Sequence, residues 1–485
     1  MDKISVKGMT FTDEYGRERI FNGVNICDKG RWNGSKREYL TKWDDDRLEK
    51  LAENGVNLVR LGITWDAVEP RPGEYNDEYL DALLALTDRC AEKGMYVYID
   101  MHQDLYSGFG DLPGDGAPAW ACKTKGMKVH KPLLVWAEGY FFKSATGTAF
   151  DSFWENKMVK GKGLQDYYGD MWAHIADKFK NHPALFGYDM MNEPYPGTIG
   201  SKIFAKIVGG VIKTTLFDRR LSKIELIKTA LSGTPERVLD LYTGDLLRSI
   251  TKSCDGLIED FDKNRYSPFL NKTSSAIRRV TDSGILFIDN NYYSNLGIPS
   301  ATPKITVDNK PDHKQCFAPH AYDFGVDTPL YRYASNSRIE AIFREHRRAQ
   351  ERLGLPVVVG EWGGGCDGSD WLYHIEFLLD LFDSFKWSFT YWEHTAYLGN
   401  EALKKTLKRP YPMAVCGEII SYKHDRQNKT FTLNWRQDRD YPVETEIFMP
   451  FEIENVETAC KYEKIGDVMK IWGNMGENSI VVKML

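Results

Sequence analysis

The stretch LFGYDMMNEP, residues 185–194, is a largely apolar run that ends in two adjacent polar residues and a proline. Its length and its aromatic and aliphatic content are typical of a strand that is buried on both faces. Asn192 and Glu193 come at the end of this run, and Pro194 indicates the end of regular structure. The stretch therefore predicts a buried strand whose carboxyl end presents a carboxylate group.

Seven other short runs of the same character occur along the chain. Helical patterns lie between them, the clearest over residues 80–91, 337–354 and 370–386. Eight buried strands that alternate with helices predict a (β/α)8 TIM barrel, an α/β fold, in preference to an open doubly wound sheet. The seven runs are RIFNGVNI (19–26), NLVRLGI (57–63), YVYIDMH (96–102), ILFIDNN (285–291), CFAPHAY (316–322), PVVVGEW (356–362) and WSFTYWE (387–393).

Beyond about residue 410 the pattern changes to an alternation with period two, as in TFTLNW (430–435), VETEIFM (443–449) and NSIVVKM (478–484). No long helical pattern separates these runs, which predicts a small antiparallel β-sandwich. We therefore expect a catalytic barrel over residues 1–405 and a C-terminal β-sandwich domain over residues 406–485.

Two long insertions interrupt the barrel pattern, one over residues 103–164 after the third run and one over residues 195–283 after the fourth. Long loops on the catalytic face of a barrel are usually functional. We therefore expect both insertions to shape the site.

The composition argues against several classes of protein. The net charge of -6 gives no reason to expect nucleic acid as a partner, and no obligate protein partner is evident. The eight cysteines form no C-x-x-C pair, so a zinc ribbon is not expected. The N-terminal residues lack the apolar segment of a signal peptide, which predicts either a cytoplasmic protein or a secreted one whose leader has been removed.

The carboxyl ends of the predicted strands collect most of the chemically useful side chains. In a TIM barrel these ends form the catalytic face, because all eight strands point the same way. Glu193 ends the fourth strand and Glu361 ends the seventh. The other residues at these ends are Arg60, His102, Asn192, His320, Tyr322 and Trp392.

Two carboxylates that face each other across a pocket are suited to cleaving a glycosidic bond with retention of configuration. One carboxyl must be protonated, while the other is ionised and attacks the anomeric carbon; their separation is then about 5–5.5 Å. Like charges at this distance push the two pKa values apart, which divides the acid from the nucleophile.

The neighbouring residues have matching roles in this hypothesis. Asn192 is expected to hydrogen-bond the 2-hydroxyl of the sugar, and Arg60 and Tyr322 to hold Glu361 ionised. His320 is expected to orient Glu193 or its proton, and Trp392 to offer a face to the sugar ring. Histidines are also common metal ligands, but the chain has no H-E-x-x-H motif, so we predict no metal site.

An ordered set of motifs resembles glycoside hydrolase family 5, and within it the endoglycoceramidase-like branch. The resemblance extends from about residue 15 to the end of the chain. The residues that carry it are YIDMHQDLYS (98–107), GDGAPAWA (114–121), AFDSFWENK (149–157), GYDMMNEP (187–194), PHAYD (319–323), GEWGG (360–364), FTYWEH (389–394) and RPYPMAVCG (409–417).

By this resemblance Glu193 is the acid/base and Glu361 is the nucleophile. His102 and Asp104 would bind the sugar in the innermost subsite, and Lys29 would be a further sugar contact. Endoglycoceramidases cleave between the glycan and the ceramide of glycosphingolipids and need no metal or organic cofactor. The resemblance therefore implies a glycolipid or a small glycoside as the substrate.

The insertion at 195–283 is longer than the resemblance leads us to expect. It contains an apolar stripe at helical spacing, and we hypothesise that this helix lines a groove for a lipid aglycone or lies against a membrane or micelle surface. The alternative is that the helix packs on the barrel. The stripe consists of Ile203, Phe204, Ile207, Val208, Val211 and Ile212.

The sequence as a whole predicts a retaining β-glycosidase that hydrolyses the bond between a glycan and ceramide. Two other hydrolases remain as alternatives, an exo-acting β-glucosidase on glucosylceramide or a steryl glucoside, and an endo-β-glucanase. A non-catalytic glycan-binding protein is the alternative from another class, and the intact pair Glu193 and Glu361 argues against it.

Overall fold

The computed structural model describes residues 1–34, 36–39, 43–133, 135–232, 234–365 and 368–485. Its central element is an eight-stranded parallel sheet, and each strand overlaps one of the eight apolar runs. The predicted TIM barrel is therefore confirmed. The strands are β1 (Asn22–Cys27), β2 (Leu58–Thr64), β3 (Tyr96–His102), β4 (Leu185–Asp189), β5 (Ile285–Asp289), β6 (Gln315–Ala318), β7 (Val358–Val359) and β8 (Ser388–Tyr391).

The sheet closes on itself. Consecutive strands pair in parallel from β1 to β6 and from β7 to β8, and β8 pairs with β1 through Phe389 and Asn22. Between β6 and β7 the ring is completed by parallel bridges, one of which joins His320 to Glu361. This closure brings the carboxyl ends of all eight strands to one face.

The inside of the barrel has an apolar layer and a polar layer. Alternate residues of a strand point to the same side, so Leu58 and Arg60 face inward together, as do Tyr98 and Asp100. At the amino-terminal end aromatic rings fill the space, and the rings of Tyr98 and Phe287 stack at 4.2 Å. The polar residues of the same strands are consequently gathered at the carboxyl-terminal end.

Helices surround the barrel, and the three clearest helical patterns are confirmed by Asp77–Glu92, Asn336–Leu353 and Leu372–Phe385. Asn76 caps the first of these helices and Ser335 the second, each accepting a backbone N–H bond. The remaining α-helices are Asp45–Glu53, Trp65–Val68, Glu138–Phe141, Ala145–Trp154, Leu164–Phe179, Ile199–Phe217, Lys223–Ala230, Gly244–Thr251, Asp255–Phe261, Ser267–Arg278, His394–Gly399 and Glu401–Leu407.

The C-terminal part is an antiparallel β-sandwich, as predicted. One sheet has four strands in the order β10-β11-β16-β13, and the other includes β9, β12, β15 and β14. The strands are β9 (Tyr411–Val415), β10 (Glu418–Asp425), β11 (Thr430–Gln437), β12 (Thr445–Phe448), β13 (Ile453–Thr458), β14 (Lys461–Ile465), β15 (Val468–Trp472) and β16 (Gly476–Met484).

The N-terminal residues extend this second sheet. Strands Ser5–Lys7, Thr10–Thr12 and Glu18–Arg19 join it, and Arg19 pairs with Ala414 of β9. The chain thus begins in the sandwich sheet before it enters the barrel. The division into a barrel over residues 1–405 and a sandwich over residues 406–485 stays a prediction.

A buried ion pair joins the barrel to the strands that follow it. Arg409 lies just before β9, and its Nη2 donates to Asp383 Oδ1 at 2.6 Å. Both side chains are almost wholly buried, at 1% and 4% exposure. Removing either partner of such an ion pair is strongly destabilising, because the remaining buried charge cannot be solvated.

Replacing Arg409 with alanine should lower the free energy of unfolding by about 3–5 kcal/mol, since Asp383 is left as an unpaired buried charge. Urea denaturation followed by tryptophan fluorescence measures this change. Arg344→Ala is the matched control, because its pair with Glu340 is exposed and should contribute less than about 1 kcal/mol. Equal losses in the two variants would contradict the assignment.

Candidate active site

Arg60 of β2 lies at the centre of the polar layer and is wholly buried. The Nη1 atom of Arg60 donates to Glu361 Oε1 at 2.6 Å, and the Nη2 atom donates to Asn192 Oδ1 at 2.9 Å. The Nε and Nη2 atoms of Arg60 also donate to Asp189 Oδ2. One guanidinium group therefore fixes residues from the ends of β4 and β7.

Several carboxyl groups surround the single positive charge of Arg60. Asp100 Oδ1 and Asp189 Oδ2 each lie 3.0 Å from Nη2, and Asp289 Oδ2 lies at 3.8 Å. Burial raises the pKa of Asp189 to about 7, and burial followed by the charge of Asp189 raises the pKa of Asp289 well above its ordinary value. This layer therefore holds protons at neutral pH, because one cation does not balance all of its acids.

Glu361 follows β7 and receives two hydrogen bonds. Arg60 donates to its Oε1, and the Tyr322 hydroxyl donates to its Oε2 at 3.0 Å. Donors on both oxygens fix the orientation of the Glu361 carboxyl group.

Glu193 follows β4 in a different environment. Burial, and then the charge of Asp104, raise the pKa of Glu193 to about 7. Its φ of +43° lies in the left-handed region, which is strained for a residue with a side chain. The conformation is held because its N–H donates to Asp289 Oδ2 at 3.0 Å and its carbonyl accepts from Gln103 Nε2 at 3.3 Å.

The two carboxylates face each other at short range. Glu193, Glu361 and His320 each bring one side-chain oxygen or nitrogen within 4.8 Å of the others. This spacing fits the short carboxyl separation of about 5–5.5 Å that is typical of retaining glycosidases, and not the wider one of inverting enzymes. The arrangement can therefore present one protonated and one ionised carboxyl group to the same bond.

His320 bridges the acids. Its Nδ1 lies 3.2 Å from Glu193 Oε1, and its Nε2 lies 3.5 Å from Asp289 Oδ2. Burial lowers the pKa of His320 to about 3, so the ring is neutral at neutral pH. A neutral imidazole can orient Glu193 without supplying a charge.

The remaining predicted residues form one wall of the site. The rings of His102 and Trp392 stack at 5.3 Å, and Lys29 Nζ lies 5.1 Å from the Trp392 ring. Lys29 also forms an ion pair with Asp104, and His102 Nδ1 lies 2.9 Å from Asp100 Oδ2. A flat aromatic face beside charged groups is suited to a sugar ring and its hydroxyls.

All ten predicted site residues therefore meet at one end of the barrel. Their roles as acid/base, nucleophile and substrate contacts stay predictions. The residues are Lys29, Arg60, His102, Asp104, Asn192, Glu193, His320, Tyr322, Glu361 and Trp392.

Two groups of side chains bring histidine and carboxylate atoms close enough to suggest a metal. One group is His102, Asp104 and Asp115, and the other contains Glu193 and Glu361. In the first group Lys29 already pairs with Asp104, and in the second Arg60 already pairs with Glu361. Because a side-chain cation neutralises each group, neither fits a metal ion well.

Sequence reasoning missed several residues that build the site. Asp100, Asp189 and Asp289 surround Arg60, and two of them are the last residues of their strands. The rule that selected Glu193, a polar residue at a strand end, would also have selected those two. Gln103 lies in a loop and Asn295 in a short helical turn, and no pattern in the sequence indicated that they reach Glu193.

Beyond the carboxylates a row of aromatic rings leads away from Glu193. Burial, and then the charge of Glu193, raise the pKa of Tyr292 well above its ordinary value. The ring of Tyr292 lies 6.5 Å from that of Phe141, which stacks on Phe204 at 4.6 Å. Phe204 belongs to the helix Ile199–Phe217, so the row connects the site to the insertion after β4.

This helix presents an apolar face to solvent. Of its residues, all of which the structure describes, Gly200, Ile203 and Thr214 are buried. The next helix, Lys223–Ala230, has no buried residue, and the described part of the chain contains no helix long and apolar enough to cross a membrane. We call the exposed apolar residues here the apolar hairpin: Val208, Ile212, Leu216, Phe217, Ile224, Ile227 and Leu231.

Comparison with known proteins finds several similar proteins, and endoglycoceramidases are among them. Endoglycoceramidase I of Rhodococcus hoagii is 25% identical over 92% of this chain and 79% of its own length. An endoglycoceramidase of Hydra vulgaris is 31% identical over 41% of this chain, and the match spans 42% of that protein. The solved structure of endo-glycoceramidase II from Rhodococcus sp. superposes with a TM-score of 0.74 at 24% identity, covering 99% of this chain and 100% of that one.

Two family models account for most of the sequence. The model described as Cellulase (glycosyl hydrolase family 5) matches residues 12–397, which include the whole barrel. The model described as Glycoside hydrolase family 5 C-terminal domain matches residues 409–464 in the sandwich. The chain therefore belongs to glycoside hydrolase family 5.

Proposed function

We propose that this protein is a retaining β-glycosidase that hydrolyses the bond between the glycan and the ceramide of glycosphingolipids. The observation that carries the proposal is the pair Glu193 and Glu361, which approach within 4.8 Å in unequal environments. The names of the relatives support the substrate class, since two of the three reported are endoglycoceramidases from different organisms and the third is a solved endo-glycoceramidase II.

In the first step the ionised Glu361 attacks the anomeric carbon while Glu193 donates its proton to the departing glycosidic oxygen. Ceramide leaves as an alcohol, and the sugar stays bound to Glu361 as an ester. In the second step Glu193, now ionised, takes a proton from water, which attacks the same carbon and releases the glycan. Configuration is retained because two inversions occur.

The surrounding residues hold the sugar and the carboxylates for this chemistry. Arg60 and Tyr322 orient Glu361, and His320 orients Glu193. Asn192 binds the 2-hydroxyl through the second N–H of its Nδ2, since Arg60 donates to its Oδ1 and its Nδ2 donates to the carbonyl of Gln103 at 3.1 Å. The wall of Lys29, His102, Asp104 and Trp392 binds the sugar whose bond is cleaved.

The position of Glu193 determines which side of the site receives the aglycone. An acid must lie beside the oxygen that leaves, so the ceramide extends from Glu193 toward Tyr292. From there the rings of Phe141 and Phe204 lead to the apolar hairpin. An acyl chain along this row would lie against the rings of Tyr292, Phe141 and Phe204.

The apolar hairpin contacts the surface of a membrane or micelle in this proposal. Phe217 is 74% exposed and Leu231 is 82% exposed, an unfavourable arrangement in water alone. The two helices also carry an excess of positive charge, which complements anionic headgroups. Their lysines are Lys202, Lys206, Lys213, Lys223 and Lys228.

Product analysis distinguishes the proposed activity from the exo-acting alternative, which also uses apolar aglycones. The enzyme would be given glucosylceramide, galactosylceramide, a ganglioside, a steryl glucoside and a cello-oligosaccharide. Release of an intact oligosaccharide and ceramide from the ganglioside is expected. Activity restricted to the monosaccharide conjugates would instead favour an exo-acting β-glucosidase, which is what a relative named Ergosteryl-beta-glucosidase suggests.

Glu361→Gln should lower kcat by about 10⁴-fold or more, because an amide cannot form the glycosyl ester. Binding of the lipid substrate, measured by sedimentation with micelles, should persist. Glu340→Gln is the control, since that residue lies on the outer helix Asn336–Leu353. Unchanged turnover in Glu361→Gln would refute its assignment as the nucleophile.

The rate should fall as pH rises above about 7, because the pKa of Glu193 is raised to about 7 and only its protonated form donates. Glu193→Gln should abolish this alkaline limb in kcat/KM. In the same variant kcat/KM should fall by about 10²–10⁴-fold with a lipid substrate. It should fall little with a dinitrophenyl glycoside, because the leaving group of that substrate needs no proton. Equal losses on both substrates would contradict the assignment of the acid.

Replacing Ile212, Leu216 and Phe217 with serine should reduce hydrolysis of glycosphingolipid in vesicles by at least tenfold, since a tenfold loss needs only about 1.4 kcal/mol of lost apolar burial at the surface. The kcat/KM for a soluble aryl glycoside should not change. Serine at Tyr462 and Ile465, two exposed residues of the sandwich, is the matched control. An equal loss on both substrates would refute the role of the hairpin.

A further inference from the structure

Asn295 contacts the proposed acid directly and has no role in the mechanism above. It lies in the short helical turn Tyr292–Leu296 after β5 and is 7% exposed. Its side-chain nitrogen donates to Glu193 Oε1 at 2.6 Å. His320 Nδ1 lies 3.2 Å from the same oxygen. Asn295 and His320 therefore both contact Oε1 and not Oε2.

The direction of the hydrogen bond from Asn295 is fixed by a chain of contacts that starts at the backbone. The N–H of His320 can only donate, and it donates to Asn290 Oδ1 at 2.7 Å. Asn290 Nδ2 must therefore be a donor, and it reaches the carbonyl of Asn291 at 2.9 Å and Asn295 Oδ1 at 2.6 Å. Asn295 consequently turns its Nδ2, and not its Oδ1, toward Glu193.

A donor at this place decides which oxygen of Glu193 carries the proton. In a protonated carboxyl group the carbonyl oxygen accepts more strongly than the hydroxyl oxygen, so the N–H of Asn295 favours Oε1 as the carbonyl oxygen and the proton on Oε2. Without that donor the proton can move to Oε1 and hydrogen-bond His320 Nδ1. In that position it cannot reach the leaving oxygen.

We infer that Asn295, oriented by Asn290, is a positioning residue that keeps the proton of Glu193 on Oε2, where the leaving alkoxide can receive it. The inference rests on the proposed function of Glu193 as the acid/base. It requires no movement of the backbone, because both asparagines act through bonds that are already present. It applies to the proton-donating step and leaves attack by Glu361 unaffected.

Other ionisable groups also face Glu193 and set the background for its titration. Three tyrosines, Tyr140, Tyr292 and Tyr322, stay protonated, because burial raises their pKa well above the ordinary value. These tyrosines offer no charge near neutral pH. The charged and titratable neighbours are Asp104, Asp289, Glu361, Arg60, His102 and His320.

The test is the leaving-group dependence of Asn295→Asp and Asn290→Asp. Asn295→Asp keeps the shape and replaces the donor by an acceptor, which draws the proton to Oε1. Asn290→Asp still accepts from His320 but offers an oxygen to Asn295, so the Asn295 amide turns over and presents Oδ1 to Glu193. Both changes should lower kcat/KM for a glycosphingolipid by about 10²-fold, the low end of the range for general acid catalysis.

With a dinitrophenyl glycoside, kcat/KM of the same variants should stay within about twofold of that of the unmodified enzyme, because this leaving group departs without a proton. Asn295→Leu adds a pH readout, since loss of a donor to the ionised carboxylate raises the pKa of Glu193 and moves the alkaline limb upward. Asn76→Asp, at a helix cap far from the site, is the matched control and should leave kcat/KM unchanged for both substrates.

Equal losses on both substrates in the two aspartate variants would overturn the inference and indicate a structural role. Unaltered hydrolysis of the glycosphingolipid would overturn it as well. Failure of the proposed function would look different, because Glu193→Gln would then show no selective loss for the lipid substrate. If one aspartate variant does not fold, as judged by circular dichroism, the other decides the question alone.

Discussion

The pairing of one buried guanidinium group underlies the structure of the active site. Arg60 lies above an aromatic layer that fills the barrel, and its side chain is wholly buried from solvent. It therefore has to be surrounded by acceptors, and the strand ends supply them as Glu361, Asn192 and Asp189. The requirement to neutralise Arg60 thus brings together residues from strands that lie far apart in the chain.

The same requirement makes the two catalytic carboxylates unequal in the proposed mechanism. Glu361 accepts hydrogen bonds from Arg60 and from the Tyr322 hydroxyl, one on each of its oxygens. Glu193 does not pair with Arg60, and burial followed by the charge of Asp104 raises its pKa to about 7. Two identical side chains thereby acquire different electrostatic environments from their surroundings.

The sequence predicted the barrel and much of the site because both depend on local patterns. A buried strand reads as a short apolar run, and a polar residue at its end, such as Glu193 or His102, marks the catalytic face. In a strand that is buried on both faces, hydrophobicity does not show which residues point into the barrel. The pairing of Leu58 with Arg60 and of Tyr98 with Asp100, two residues apart, does follow the inward face. Asp100, which lies inside its strand, was missed for that reason.

Contacts that depend on distant segments could not be predicted in this way. Arg19 pairs with Ala414 although almost the whole barrel separates them in sequence, and period-two alternation does not specify a partner strand. Asn295 reaches Glu193 only because Asn290 and His320 fix the turn after β5. An asparagine in a loop has no sequence pattern that distinguishes such a contact from ordinary solvation.

The apolar path beside Glu193 connects substrate recognition to proton transfer in the proposed mechanism. A ceramide that lies along Tyr292, Phe141 and Phe204 displaces water from the side on which Glu193 is exposed. Loss of water disfavours the charged carboxylate, so the bound lipid keeps the acid protonated until the bond breaks. When the ceramide departs, water enters by the same path and meets Glu193 as a carboxylate, the form that can act as a base in the second step.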